Sequence, residues 1–243
     1  MTVSCIQLLM AKRPKTYDTE LLHSRLIDIL NDLPTRLKHG SVGEQVGELV
    51  QVYHVLRDLG ASIGAVLAPI DSDSGSARVI AYLRAQTGRI VHTDELMVVA
   101  GIGDYPRRIR EARTNLGWPI ISGMAVRDLR SLNATREALK RVPAGMATDE
   151  YLLLEDRQDA KAPARWTATK TMRTSGEPAR NLVRDFFERF ANERITAEEL
   201  RYLVGNNSDW TVGVTDMVQS GSVIEGADLS AINVPPGIFI LMA

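Results

Sequence analysis

The sequence predicts a mainly α-helical fold with small β wings: an N-terminal helical hairpin followed by two units of related design. Three observations predict it. Two long stretches near the N-terminus carry apolar residues at spacings of three and four. A basic amphipathic segment, Tyr105-Pro106-Arg107-Arg108-Ile109-Arg110-Glu111-Ala112-Arg113, stops before Gly117 and runs into the short apolar stretch Trp118-Pro119-Ile120-Ile121. A weaker copy of that arrangement, without the arginines, returns near the C-terminus.

The chain of 243 residues has room for one large domain or two to three small ones, and its 44% hydrophobic content is ordinary for a globular protein. The net charge of −1 rules out a polycation, so any affinity for nucleic acid must come from local patches. The single cysteine, Cys5, excludes a disulfide framework and a multi-cysteine zinc site. No apolar run reaches membrane-span length, so no membrane partner is expected. Apolar residues 5–10 precede Lys12, Arg13 and Lys15, the reverse of a secretory signal. A cytoplasmic, nucleoid-associated protein is the expectation.

In residues 17–38, Leu22, Leu26, Ile29, Leu30, Leu33 and Leu37 make one helical face, which Pro34 kinks or ends. Residues 42–67 make a second helix, with Val42, Val46, Leu49, Val50, Tyr53, Leu56, Leu59, Ile63 and Leu67 on a broad stripe. Two such faces must be buried, either in a homodimer or against the following unit. Residues 1–70 therefore form a helical, dimerising or packing region. Residues 71–75 read as a linker. Next come a helix over 77–86, a short strand over 89–91, and a helix that Thr93 caps with Asp94 and Glu95 in its first turn. Gly101-Ile102-Gly103 is a turn, Asp104 caps the helix over 105–116, and Gly117 ends it. Residues 118–122 and 151–154 are strands, and 132–142 form a basic helix or an elaborated wing. Residues 156–177 lack periodicity and read as an extended basic connector, anchored at Trp166.

The second unit, residues 178–243, echoes the first, residues 77–155. Arg89-Ile90 corresponds to Arg194-Ile195. Thr93-Asp94-Glu95-Leu96 corresponds to Thr196-Ala197-Glu198-Glu199-Leu200 with one extra residue, Asp104-Tyr105 to Asp209-Trp210, and Gly117 to Gly221. The order helix, strand, helix, turn, helix, two-stranded wing is that of a winged helix-turn-helix, here present twice. On Thr93-Asp94-Glu95-Leu96, residues 104–111 and Gly117-Trp118-Pro119-Ile120, the first unit resembles the winged helix-turn-helix modules of bacterial restriction-type nucleases and related defence proteins. The resemblance spans residues 77–154, extends loosely over 178–243 and omits the N-terminal helices. It implies DNA binding, in proteins where a catalytic domain usually accompanies the module.

With about 100° per residue, Tyr105, Ile109, Ala112 and Leu116 share the core-facing side of the helix. Arg107, Arg110, Glu111 and Thr114 lie opposite, and Arg108 and Arg113 lie on the flanks. Arginine can pair with guanine O6 and N7, so Arg107 and Arg110 are expected to read bases, and Arg108 and Arg113 to contact phosphates. Glu111 either accepts from cytosine N4 or pairs with a neighbouring arginine. Thr93 and the helix N-terminus behind it are expected to hold one phosphate. Arg127 and Arg130, with Arg136, Lys140 and Arg141, form a second basic cluster for flanking phosphates or a plain solvated face. In the second unit Val212, Thr215, Asp216 and Gln219 point outward, with no lysine or arginine between Asp209 and Gly221. That helix suits a protein partner better than DNA.

His23, His39, His54 and His92 lack metal-ligand spacing, and no phosphate loop or nucleophile elbow is present. No metal, cofactor or catalytic residue is therefore expected. Asp159-Ala160-Lys161 has the spacing of a carboxylate-lysine nuclease but sits in the connector. The sequence points to a homodimeric binder of double-stranded DNA, sequence-specific or modification-sensitive, acting in transcription regulation or restriction and defence. The competing readings are a scaffold subunit of a nucleoprotein or defence complex, and a divergent nuclease.

Overall fold

A computed structural model describes residues 18–68 and 74–243. The apolar-then-basic start of the chain with Cys5, and most of the expected linker, lie outside the described residues. Helices α1 (Thr19–Lys38) and α2 (Val42–Ala65) form the expected hairpin. They run antiparallel: the Thr19 hydroxyl donates to Ser62 Oγ at 3.1 Å at one end, and Gln45 Nε2 donates to the Leu37 carbonyl at 3.1 Å at the other. Asp18 caps α1, and Ser41 with Glu44 forms a reciprocal capping box on α2. Pro34 sits inside α1 without ending it.

The first unit contains α3 (Gly75–Ala85), β1 (Ile90–Val91), α4 (Thr93–Ala100), α5 (Tyr105–Thr114), β2 (Ile120–Ser122), α6 (Gly123–Leu129), α7 (Arg136–Leu139) and β3 (Tyr151–Leu153). After α8 (Ala162–Arg173), the second unit contains α9 (Ala179–Arg189), β4 (Ile195–Thr196), α10 (Ala197–Leu203), α11 (Trp210–Gln219), β5 (Ile224–Glu225) and β6 (Ile238–Leu241). The protein is thus mainly helical with two small antiparallel sheets, ordered β1-β3-β2 and β4-β6-β5. In each, the last strand of the unit takes the centre. Leu152 pairs with both Ile90 and Ile121, and Phe239 pairs with Ile195.

The two units share the sheet order, and at the start of α4 and α10 the alignment between them needs no insertion. His92, not Thr93, is the N-cap of α4: its Nδ1 accepts from the Asp94 amide, and Glu95 closes a capping box. Thr196 and Glu199 form the same box on α10. The apparent extra residue arose from aligning two threonines, because histidine is an unusual cap.

Gly60 and Gly64 dock α2 on α4. A Cβ at either position would lie 2.6 Å from the carbonyl oxygen of Val98 or Val99 respectively. Only glycine lets the helices approach this closely, and the spacing of four puts both on one face. Arg78, buried, donates from Nε and Nη2 to the Val99 and Ala100 carbonyls at 3.0 and 2.6 Å, closing the C-terminal end of α4. The C-terminal part of α2 therefore packs on the following unit, while Val42, Val46, Leu49 and Tyr53 stay exposed.

Three readings of secondary structure are corrected. Residues 162–173 are helical, not extended: α8 buries Ala162, Arg165, Trp166, Ala168 and Thr169, a mixed face without the leucine or valine repeat that signals a helix. Helix α6 was not anticipated, being too short for an apolar period to show. Of the two readings of residues 132–142, the helix is reduced to the four-residue α7, which lies between β2 and β3.

One core gathers Val79, Leu83, Leu96, Val99, Ile109, Ile120 and Leu153 within the first unit. The other joins Ile121, Val126, Leu129 and Leu152 of the first unit to Phe186, Phe187, Leu200, Trp210 and Phe239 of the second. Asp128 on α6 accepts from Trp210 Nε1 at 3.1 Å and pairs with Arg201. Arg165, only 1% exposed, binds three carboxylates: Asp159 at 2.7 Å, Glu193 at 3.0 Å and Glu199 at 2.8 Å. Burial works against the guanidinium charge, but Glu199 and Asp159 outweigh it and hold Arg165 charged. Replacing Arg165 by alanine leaves Glu199 buried without its partner. The expected loss is about 3–5 kcal/mol of stability, read as a lowered urea midpoint.

Candidate nucleic-acid interface

Helix α5 is set on the first core by Ile109 and Ala112, both buried. Pro106 in its first turn suits a helix start, where an amide would lack a partner anyway. Asp104 occupies the cap position, but its side chain makes no capping bond. Beyond α5, Leu116 is exposed rather than core-facing, because the helix ends at Thr114. The amide of Trp118 then returns to the Ala112 carbonyl at 3.0 Å, and Gly117 turns the chain with a φ of +72°. A Cβ at Gly117 would lie 2.0 Å from the Asp159 carbonyl oxygen, so the turn is wedged against the start of α8.

The arginines of α5 divide by environment. Arg107 and Arg110 are exposed. Among the described residues Arg110 has no hydrogen bond or ion pair. Arg107 Nε and Arg108 Nη1 each donate to Glu111 at 2.8 Å. Arg107, and then Arg108, holds the Glu111 carboxylate below its usual range. Of the two roles open to Glu111, the pairing with neighbouring arginines is the one observed. Thr114 is half-buried, and its hydroxyl donates to Asn115 Oδ1 at 2.9 Å.

Arg113 is turned inward. Its Nε donates to the Ile120 carbonyl at 2.7 Å, its Nη1 meets Glu198 of the second unit at 2.9 Å, and its guanidinium lies over the Tyr151 ring. Glu198 also accepts from the amide and hydroxyl of Ser122. The charge of Arg113 is thus engaged at the junction of the two units.

Thr93 is buried in the first turn of α4. The turn carries Asp94 and Glu95, whose charges oppose a phosphate there. Arg127 and Arg130 are exposed on and just after α6, away from the face that Val126 and Leu129 bury. Arg130 donates to the Pro143 carbonyl at 3.0 Å, while Arg141 is engaged with the carbonyls of Leu229 and Ala231 at 2.6 and 2.7 Å. Lys140 pairs with Glu137, and Arg136 is exposed.

Asp159 and Lys161 line a cavity of about 300 Å³ together with Arg113, Trp118, Arg165 and Glu193. Asp159 is bound to Arg165, and Lys161 Nζ meets Glu193 at 3.2 Å. A guanidinium thus stands at the convergence of the acids, where a nuclease would place a cation. Among the described residues no group of three His, Cys, Asp or Glu is arranged to hold a metal. Sequence reasoning missed Arg165, Asp128 and Arg201. Glu199 had a legible signal, the Thr196-x-x-Glu199 capping pattern.

On α11, Val212 and Gln219 are exposed, Thr215 bonds its own helix, and Asp216 approaches Arg180 of α9 at 3.8 Å. Trp210, at the position matching Tyr105, is fully buried.

The acid pair at the start of α4 supplies a pH test. The Tyr82 hydroxyl donates to Glu95, pushing the phenol up to about 12 and, with the His92 amide, holding the Glu95 carboxylate down. A carboxylate lowered by folding stabilises at neutral pH, and the gain disappears as pH falls through its lowered value. Because the pair is partly exposed, Tyr82→Phe is expected to cost only about 1 kcal/mol at pH 7. The difference from the parent should vanish in acid, as followed by thermal melts from neutral pH downward.

A family model described as the KpnI N-terminal domain, named after the restriction enzyme KpnI, matches residues 76–153. The match begins at α3 and ends at β3, and leaves the hairpin and the second unit outside. No curated protein and no solved structure matches the chain. No helix of the described residues is long and apolar enough to cross a membrane.

Proposed function

We propose that the first unit is a winged helix-turn-helix module that binds duplex DNA, with α5 entering the major groove. One observation carries this reading. Arg107 and Arg110 stand exposed on a helix whose opposite face is locked into the core, and β2 and β3 follow as the wing. An arginine pair on such a face fits the bidentate recognition of guanine. Arg108, Arg127 and Arg130 are assigned to phosphates, and Thr114 to the edge of the same face. Arg113 and Thr93, enclosed in the structure, are removed from the contact set. The match to the KpnI N-terminal domain over this unit supports a restriction or defence setting.

The second unit favours a protein partner. Its helix α11 carries Val212 and Val218 on the surface, Val223 follows them, and no arginine or lysine lies on the helix.

The test is a mobility shift on a site selected from random duplexes, with salt held constant. Arg107→Ala combined with Arg110→Ala should weaken specific binding by about 30-fold or more, at about 1–3 kcal/mol for each lost base contact. Arg113→Ala should lower thermal stability while leaving affinity within a few-fold at a temperature where it is folded. Unchanged binding in the double variant sinks the proposal.

A further inference from the structure

Helix α2 carries two seams: one, of mixed polarity, faces α1, and the other is apolar and meets α4 only at Gly60. The first seam faces α1: Gln45 reaches Leu37, Glu48 meets Arg36 at 3.0 Å, Val55 is buried, and Ser62 meets Thr19. The second seam comprises Val42, Val46, Leu49, Tyr53, Leu56 and Ile63, with Gly60, the glycine that docks on α4, at the one remaining position. Successive members are four and three residues apart without a break. That is the seam of a coiled-coil helix, which requires a facing helix to fill its holes. Among the described residues no helix lies along the rest of it: exposure along the six residues runs from 49% at Leu49 to 75% at Val42.

We infer that this seam pairs with the same seam of a second copy of the chain, so that two hairpins form a four-helix bundle about a two-fold axis. Three points select a second copy. The seam has no charged residue on it, so it meets its own image without like-charge repulsion. Its polar edges are already engaged within the hairpin, as in the Arg36–Glu48 pair, or within α2, where Arg57 meets Asp58 at 3.2 Å. The area also suffices. With Val50 and Val66 alongside, the seam presents roughly 600 Å² of apolar surface, at the upper end of what monomers leave uncovered. A pair would hide about 1,200 Å², which reaches the range of stable interfaces. The Gly60 and Gly64 contact with α4 fixes the hairpin to the first unit, so the pairing would present one α5 from each copy in a two-fold arrangement. The pairing itself does not depend on α5 binding DNA.

The experiment is sedimentation velocity of the full chain, without DNA, from low to high micromolar concentration. The parent is expected to sediment as a dimer. Leu49→Glu combined with Tyr53→Glu is expected to be monomeric across the range, a weakening of at least tenfold, with unchanged far-ultraviolet circular dichroism. Gln51→Glu, exposed and off the seam, should remain dimeric. Should the double variant fail to fold, Val46→Lys carries the same expectation. A parent that stays monomeric at high micromolar concentration overturns the inference, as does a folded seam variant that stays dimeric.

Discussion

The buried guanidinium of Arg165 draws together carboxylates from three separate stretches of chain, and the placement of α5 depends on it. Asp159 precedes α8, Glu193 precedes β4, and Glu199 lies in the first turn of α10. Asp159 also bonds the turn that ends α5, since its amide donates to the Gly117 carbonyl at 2.9 Å. A continuous path therefore runs from the last turn of α5 through Gly117, Asp159 and Arg165 into the second unit. Arg165 and Glu199 in it are desolvated, so losing either would leave the other an uncompensated buried charge. The Arg113–Glu198 bridge is a second link between the two units. What looks from topology like two modules and a connector is a single packed arrangement, with polar struts where α8 crosses between them.

The second unit shows how one backbone order can carry different chemistry. Trp210 fills the position of Tyr105, and its indole nitrogen reaches Asp128 of the first unit. Gly213 lies so close to Val183 that a Cβ there would sit 2.8 Å from the valine side chain, so α9 and α11 pack tightly. Much of α11 is thus spent on structure, and what remains outside is apolar or neutral.

The long elements were legible in the sequence because their apolar periods were long. Both hairpin helices, α3, α4, α5 and the strands around Ile121 and Leu152 followed from spacing and from glycine punctuation. The failures share a physical cause. Helix α8 turns Arg165 and Thr169 inward, so a pattern that equates burial with apolar character cannot see it. Helix α6 spans under two turns. His92 acts as a cap through its ring nitrogen, a use of histidine that composition does not signal. In the candidate interface, rotation about α5 separated Arg107 and Arg110 from Ile109 and Ala112 as found. It could not show that Arg113 has an acceptor in the second unit, because Glu198 is distant in sequence and meets it only in the fold.

The inward turn of Arg113 has a consequence for how this surface can evolve or be redesigned. Recognition helices are often treated as cassettes whose sequence can be exchanged whole to change specificity. Here the two ends of the helix are under different physical constraints. Residues 107 and 110 can vary without touching the interior, whereas position 113 is part of the joint between the two halves of the molecule. Exchanges are therefore open at positions 107 and 110 and closed at 113, and a transplanted helix without an arginine at that point would arrive with its joint undone.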